Sequence, residues 1–467
     1  MATYLKRGRY MLDFGRLEDF IFEKMSKTHL PGLSVAIVKD REVIYSRGFC
    51  FRDLEYGLGA TARTLYGIGS VTKSFTALSI MQLVEEGRLS LDDPVSKYVP
   101  LDLKSKEEPV KVWHLLSHAS GIPALAYAEA FIRYMTGADD KWIPVASHED
   151  IFTFMREANQ WALTKPGERW FYLNEGYLML GYIIEKLSGM SYEEYVKKKI
   201  LEPLQMNRSF FRREEVEASS DVATPYIITR DGECKKSTYA YGPISSDGGL
   251  KSNVPDLAHY INMYLNRGEY DGGTLLSSGS IEEMEKPKVK LPLQIFGGEA
   301  YGYGLHIIPR FLGNKLVGHG GSVLVATAYM GYIPEKRIGI ALLANGSGYP
   351  LSQIGLYGLA LMLGEDAENL PFVRVERAFD LLTGLYDTYK GTMKAQVVTK
   401  GSILSLEIKD KYVDMIIPLI PEDIEGEVKN FYTVQAGVKL PVEFIVKGDK
   451  VDLIYERYRL KKVGNLK

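Results

Sequence analysis

Five residues in three short segments could together transfer an acyl group. They are Ser70 and Lys73 in Gly69-Ser70-Val71-Thr72-Lys73, Tyr172 and Asn174 in Tyr172-Leu173-Asn174, and His319 in His319-Gly320-Gly321. A hydroxyl is a weak nucleophile until a base takes its proton. Lys73 follows Ser70 at the spacing that brings two side chains to one face of a helix. To act as a base its ammonium must first lose a proton, and burial or a second cation nearby favours that loss. Tyr172 offers a phenol that can pass a proton on. His319 offers an imidazole, and the glycines after it allow another backbone to approach. Ser-x-x-Lys occurs once in the chain.

The surrounding elements must hold these groups together. Phe75, Leu78, Met81 and Val84 are apolar at helical spacing, so Ser70 is expected to open a helix. Its free N–H groups would then face developing negative charge. Pro166-Gly167 turns the chain and Asn174-Glu175 starts a second helix through Leu178, Leu180, Ile183 and Ile184, which leaves Tyr172 on the loop just outside. Val323–Tyr329 reads as a strand that follows His319, Gly320, Gly321 and Ser322, and a substrate could pair along that edge.

Further out, Leu17, Phe20, Ile21 and Met25 mark an N-terminal helix before strands Leu33–Val38 and Glu42–Phe49. Residues from about 75 to 240 are mostly helical. Strands return at Gly304–Ile308, Lys315–Gly318, Val323–Tyr332 and Ile338–Leu343, and a helix near Leu351–Met362 completes the set. The expected class is α+β, an antiparallel sheet interrupted by a helical insertion, with the cleft between the two.

After about residue 375 the pattern changes to short alternating runs: Met393–Val398, Ile403–Ile408, Val413–Leu419, Phe431–Val434, Phe444–Val446, Val451–Tyr455 and Arg457–Leu460. Tight turns such as Lys447-Gly448-Asp449 separate them. A small closed or nearly closed antiparallel barrel is expected, serving as a lid, a substrate filter or an assembly module.

The segments also resemble a known family. Leu65-Tyr66-Gly67-Ile68-Gly69-Ser70-Val71-Thr72-Lys73-Ser74-Phe75-Thr76-Ala77 is similar to the first box of the class C serine β-lactamases and penicillin-recognising enzymes. More narrowly, it resembles the CubicO group of serine peptidases and esterases, which includes D-aminopeptidases. The likeness continues through Leu83–Pro94, Leu115-Leu-Ser-His-Ala-Ser-Gly-Ile-Pro123, Tyr172–Tyr177, Leu201–Met206, Gly248–Ser252, His319–Ser322 and Ala341–Asn345, over roughly residues 15–365.

The resemblance implies that Ser70 forms an acyl-enzyme and that Lys73 is its base, working with Tyr172. It implies that Asn174 orients Lys73 and the substrate amide, and that the backbone N–H groups of Ser70 and Ser322 form an oxyanion hole beside Gly320 and Gly321. His319 stands where most relatives carry the Lys of a Lys-Thr-Gly box. A neutral imidazole anchors a carboxylate more weakly than an ammonium does. The departure therefore points away from carboxypeptidase or β-lactamase action. It points toward a peptidase or aminopeptidase on small peptides or amides, D-residues included. An esterase of the same family and a non-catalytic scaffold are the alternatives. Similar lipocalin-like barrels follow the catalytic domain in some of these peptidases, so the expected domains are 1–370, with the helical insertion at about 75–240, and 375–467. A homo-oligomer through the barrel is expected, with no cofactor.

Composition narrows the partners. The 467 residues suit two or three domains, and a net charge of −2 recommends neither nucleic acid nor an anionic membrane. Met1–Tyr10 lacks the apolar core of a signal peptide, and two distant cysteines suit a reducing compartment, so the expected location is cytoplasmic. Few glutamines beside many Glu and Lys lean toward a thermophile.

Other features read as structural. His114 and His118 fall at a helix end, Asp92-Asp93-Pro94 is a turn, and Gly302-Tyr303-Gly304 is a strand entry. Ser245-Ser246-Asp247 resembles a Ser-Asp-Asn box only loosely and reads as a solvated turn, the alternative being that Asp247 rims the cleft and meets an ammonium. No His/Cys/Asp/Glu cluster has zinc spacing, and no Gly-x-Ser-x-Gly elbow occurs.

Overall fold

A computed structural model describes residues 14–140, 146–346, 348, 350–409, 411–412 and 414–466. The segment Met1–Tyr10 and Val413, the first residue of an expected strand, lie outside the described residues. The chain divides into two compact units, Met1–Glu365 and Asp366–Lys467.

Nine strands form one sheet in the first unit. They are β1 (Gly32–Lys39), β2 (Glu42–Asp53), β3 (Leu58–Gly59), β4 (Val289–Lys290), β5 (Ala300–Tyr301), β6 (His306–Phe311), β7 (Asn314–Ser322), β8 (Thr327–Ile333) and β9 (Ile338–Ala344). Their order is β4-β5-β6-β7-β8-β9-β1-β2-β3, and neighbours run antiparallel. The central strands β1, β8 and β9 are buried almost throughout, which is why they read as apolar runs and not as alternating ones.

Helices cover both faces. Leu17 of α1 (Phe14–Thr28) would meet a Cβ on Gly358, so α1 and the last helix of the unit, Leu351–Leu363, pack together on one side. Ile261, on the helix Val254–Leu265, would meet a Cβ on Gly339 on the other side. The antiparallel sheet with helices is the expected fold. The excursion away from it runs from residue 60 to 288, wider than 75–240, because the helix Val254–Leu265 belongs to that excursion while packing on the sheet. No helix among the described residues is long and apolar enough to cross a membrane.

Within the excursion, a single 3₁₀ turn (Gly69–Val71) leads into α2 (Thr72–Glu85). Thr72–Met81 is buried on every side, as expected of a helix running through the core rather than over it. Its polar groups are satisfied within the helix or by a neighbouring segment: Ser74 Oγ donates to Val71 O, Ser79 Oγ to Phe75 O, and Thr76 Oγ1 to Ser246 O.

The strand boundaries next to the histidine segment differ from expectation. The histidine strand β7 runs on through Ser322, and the next strand starts at Thr327 rather than Val323. Residues 323–326 make a tight turn closed by Val323 N–H to Ala326 O, with Leu324 at φ +65°. A left-handed leucine between apolar neighbours leaves no turn signature in the sequence.

The second unit is a closed barrel of eight strands, β10 (Gly384–Asp387), β11 (Lys394–Lys400), β12 (Ile403–Lys409), β13 (Asp414–Asp423), β14 (Val428–Gln435), β15 (Val438–Lys447), β16 (Lys450–Tyr455) and β17 (Tyr458–Gly464). The expected barrel is borne out, with one more strand than the alternating runs indicated. That strand, β10, pairs with β11 on one side and β17 on the other and so closes the ring. The interior is filled by Tyr386, Leu404, Leu419, Phe431, Phe444 and Leu453 among others, joined by Phe379 and Leu382 of the preceding helix Pro371–Leu382.

Candidate active site

Ser70 sits on the 3₁₀ turn ahead of α2, and Gly69 before it holds φ +50°. The end of β7 comes so close that side chains are excluded from both partners. A Cβ on Gly69 would lie 2.7 Å from Ser322 N, and one on Gly321 would lie 2.0 Å from Ile68 O and 3.0 Å from Ser70 N. The glycines of two distant motifs thus bring the Ser70 and Ser322 backbones together. Their N–H groups can flank one oxygen, as an oxyanion hole requires.

Lys73 is wholly buried, and its Nζ donates to Ser70 Oγ at 3.1 Å and to Asp247 O at 2.8 Å. Nζ also lies over the rings of Tyr172, 4.9 Å from its centroid, and Tyr177, 5.4 Å away. Tyr172 is on the loop before α3 (Asn174–Ser188), as expected. Asn174 opens that helix, and its Nδ2 donates to Glu129 Oε1 at 3.2 Å.

Asp247 departs from the favoured reading of its segment. It lies on the short helix Ser245–Gly248, 3% exposed, not in a solvated turn. Burial pushes its carboxyl up to about 7 against the pull of Lys73, and Glu175 and Glu129 push the same way as burial. Its Oδ1 has no protein partner.

His319 is 2% exposed and does not face the cleft as a free cation. Its Nδ1–H donates to Gly320 O, and its Nε2 accepts the phenol proton of Tyr301 at 2.7 Å. Burial, then His306 and Lys73, holds its pKa well below the usual imidazole range. The ring is therefore neutral in one tautomer. His306 is packed 4.7 Å away, ring to ring, and burial lowers it to about 4.

Strand β7 also presents the expected edge. β6 pairs with β7 only as far as Gly318, opposite His306. Residues 319–322 pair with β8 on their other side. Among the described residues no strand covers the remaining side of Gly320, Gly321 and Ser322. A depression of about 530 Å³ lined by His148, Glu185, Arg212 and Tyr241 lies elsewhere and includes neither Ser70 nor His319.

Taken together, the excursion supplies a hydroxyl, a buried amine, a phenol and an amide, and the sheet supplies a neutral imidazole and a backbone edge. That arrangement can deprotonate Ser70, hold an acyl oxygen between two N–H groups and return a proton to a leaving group.

Comparison with known proteins finds two family matches and several relatives. Residues 17–361 match the family model described as Beta-lactamase, and residues 367–461 match that described as Pab87 octamerisation domain. Protein flp of Staphylococcus aureus (strain NCTC 8325 / PS 47) is 27% identical over 342 residues, 71% of this chain and 62% of that protein. The match thus spans less than two thirds of that relative's length. Penicillin-binding protein 4* of Bacillus subtilis (strain 168) is 26% identical over 413 residues, 83% of this chain and 86% of that protein. The solved octameric penicillin-binding protein homologue from Pyrococcus abyssi superposes with a TM-score of 0.93 at 53% identity, covering 96% of this chain and 100% of that one. A D-stereospecific amidohydrolase from Streptomyces sp. shares the fold, with a TM-score of 0.62 at 22% identity over 75% of this chain and 99% of that one.

Proposed function

Because the chain belongs to the beta-lactamase family of serine hydrolases, we propose that it forms an acyl-enzyme on Ser70 and acts as a peptidase, principally an aminopeptidase, on small peptides or amides, D-residues included. The observation that carries this reading is the contact of Lys73 Nζ with Ser70 Oγ at 3.1 Å in a buried setting. Lys73, relayed by Tyr172, takes the Ser70 proton as Oγ bonds to the substrate carbonyl carbon. The carbonyl oxygen gains charge between Ser70 N–H and Ser322 N–H. The C–N bond then breaks and the departing amine takes the proton back, after which water hydrolyses the acyl ester by the same relay.

The charges around the site support a free amino terminus on the substrate. Glu129 accepts from Asn174, and Glu175, whose carboxyl burial pushes up, lies next to Asn174 in the chain, so that side carries carboxyl groups that can accept from an ammonium. The His319 side is neutral and offers no cation to a C-terminal carboxylate. The open edge of β7 would pair with the substrate backbone.

The test is acylation by a fluorophosphonate followed by intact mass, then a panel of D- and L-aminoacyl amides and esters. A single adduct lost in Ser70→Ala, with turnover of aminoacyl amides above their N-blocked analogues, is expected. No adduct on the wild type, or an adduct that survives Ser70→Ala, would overturn the assignment.

We further propose that the chain forms a homo-oligomer through its barrel and that it works in the cytoplasm. The first is supported by the relative that is an octamer and by apolar side chains on the outside of the barrel, Ile416 at 52% and Val438 at 68% exposure. The second is supported by two free thiols, Cys50 and Cys234.

A further inference from the structure

We propose that His118 is the residue that positions Tyr172, clamping the loop on both sides of the phenol by two hydrogen bonds and a ring contact. This inference rests on the reading of Ser70 and Tyr172 given above.

Three contacts converge. The backbone carbonyl of His118 accepts from Phe171 N–H at 2.8 Å. Its ring Nδ1 accepts from Leu173 N–H at 3.0 Å. Its ring lies 4.0 Å from the ring of Tyr172, between those two anchored neighbours. Residues 171 and 173 are therefore both tied to one residue, and the side chain between them rests on that residue's imidazole. A loop held in this way loses the freedom to swing Tyr172 away from Lys73, whose Nζ sits over the same phenol ring.

The backbone supports a dedicated role. His118 is 1% exposed and adopts φ +57°, a left-handed conformation uncommon for a non-glycine residue. It follows the short helix Val112–Leu116, and this conformation is what turns its carbonyl and its ring toward the same loop. Trp170, Tyr177 and Tyr301 wall in the other sides of the imidazole.

The acceptor role demands a neutral ring with its proton on Nε2, because a protonated Nδ1 would face the Leu173 N–H donor to donor. Burial, with Lys73, His319 and His306 close by, keeps the ring neutral far below the ordinary imidazole range. The Nε2–H has no protein partner, so no competing bond draws the ring away from the loop.

The experiment compares His118→Ala and His118→Asn, alone and with Tyr172→Phe. Asn suits the left-handed backbone, and its Oδ1 stands where Nδ1 does, so it can still accept from Leu173. The rate of Ser70 acylation by a small fluorophosphonate is measured by mass, and exchange of the Leu173 amide by hydrogen–deuterium exchange. His118→Ala should slow acylation by about 10- to 100-fold, and His118→Asn should recover most of that. In the Tyr172→Phe background, His118→Ala should cost no more than about 3-fold, because the group it positions is gone. Leu173 should exchange faster in His118→Ala and stay protected in His118→Asn.

Full additivity of the two losses, or Asn failing as badly as Ala while both variants stay folded, would overturn the positioning role. Absence of Ser70 acylation in the wild type would sink the functional reading instead. The Leu173 exchange would still decide the clamp: protection unchanged in His118→Ala would refute it, and accelerated exchange would uphold it.

Discussion

Tyr301 donates its phenol proton to His319 Nε2 at 2.7 Å, and the direction of that bond makes His319 an acceptor, not a cation. A lysine at position 319 would be a second buried ammonium near Lys73 rather than an anchor for substrate carboxylates. His319→Lys is expected to lower kcat/KM alike on substrates with a free C-terminal carboxylate and on their amides, leaving the ratio within about 3-fold of wild type. A marked shift toward carboxylates would show that the side chain reaches the substrate.

Ser70→Ala should remove hydrolysis, keeping less than about a hundredth of wild-type turnover. Lys73→Ala and Tyr172→Phe should each slow acylation severely, and the double variant should lose little more, as the proposed shared relay requires. Stopped-flow acylation of the four proteins measures this. Losses that simply multiply would separate the two groups.

Gly321→Ala places a methyl 2.0 Å from Ile68 O and 3.0 Å from Ser70 N. The Ser70 turn must then move. Acylation should fall by about 100-fold or more, since small misplacements of a nucleophile carry that penalty. Gly320→Ala, whose Cβ would meet nothing nearer than 3.9 Å, should be much milder. Equal effects from the two would show that the close approach is unimportant.

Stability should fall in acid partly through His114. Its Nδ1 accepts from Lys111 N–H, and burial, with Lys111 assisting, lowers its pKa to about 4. The folded value lies below the unfolded value of about 6.5, so in that interval the unfolded chain binds the extra proton. This contribution is complete above about pH 6.5 and is lost as pH falls toward about 4. Asp247, raised to about 7, acts in the opposite sense, stabilising as pH falls from that value. The informative quantity is thus a difference between proteins. The drop in Tm between about pH 7.5 and 4.5 should be smaller in His114→Asn than in wild type. An equal drop would remove His114 from the account.

Ile416→Lys with Val438→Lys places charge on the exposed apolar outside of the barrel. Light scattering should show a smaller assembly than wild type, while Ser70 is still acylated by a small probe. An unchanged mass would mean that copies do not meet through these residues.

The parts of the site readable in advance were those set by local spacing. Ser70 and Lys73 share one turn of a helix, and Tyr172 precedes a helix start that Asn174-Glu175 announces. What escaped depends on residues far apart in the chain. Asp247 lies in the polar run Ser245-Ser246-Asp247, and only its packing against α2 reveals that it is buried under Lys73. The charge state of His319 is fixed by Tyr301 on β5 and His306 on β6, which no spacing in its own segment could indicate. His118 looked like a helix end because its neighbours are apolar; its left-handed backbone leaves no mark in residue type. In the barrel, seven strands alternate clearly, whereas β10 is only four residues long and owes its place to β17, some 75 residues further on.

The uncovered side of Gly320, Gly321 and Ser322 offers amide and carbonyl groups rather than side chains. A chain that docks there is sensed through its own peptide links. Swapping one residue of such a guest for another should matter little, whereas methylating the nitrogen that faces the edge, or replacing that link with an ester, removes a donor and should be felt at once. Variation in diet is then a matter for the rim around the edge, and the three residues themselves can stay fixed while the range of accepted molecules drifts.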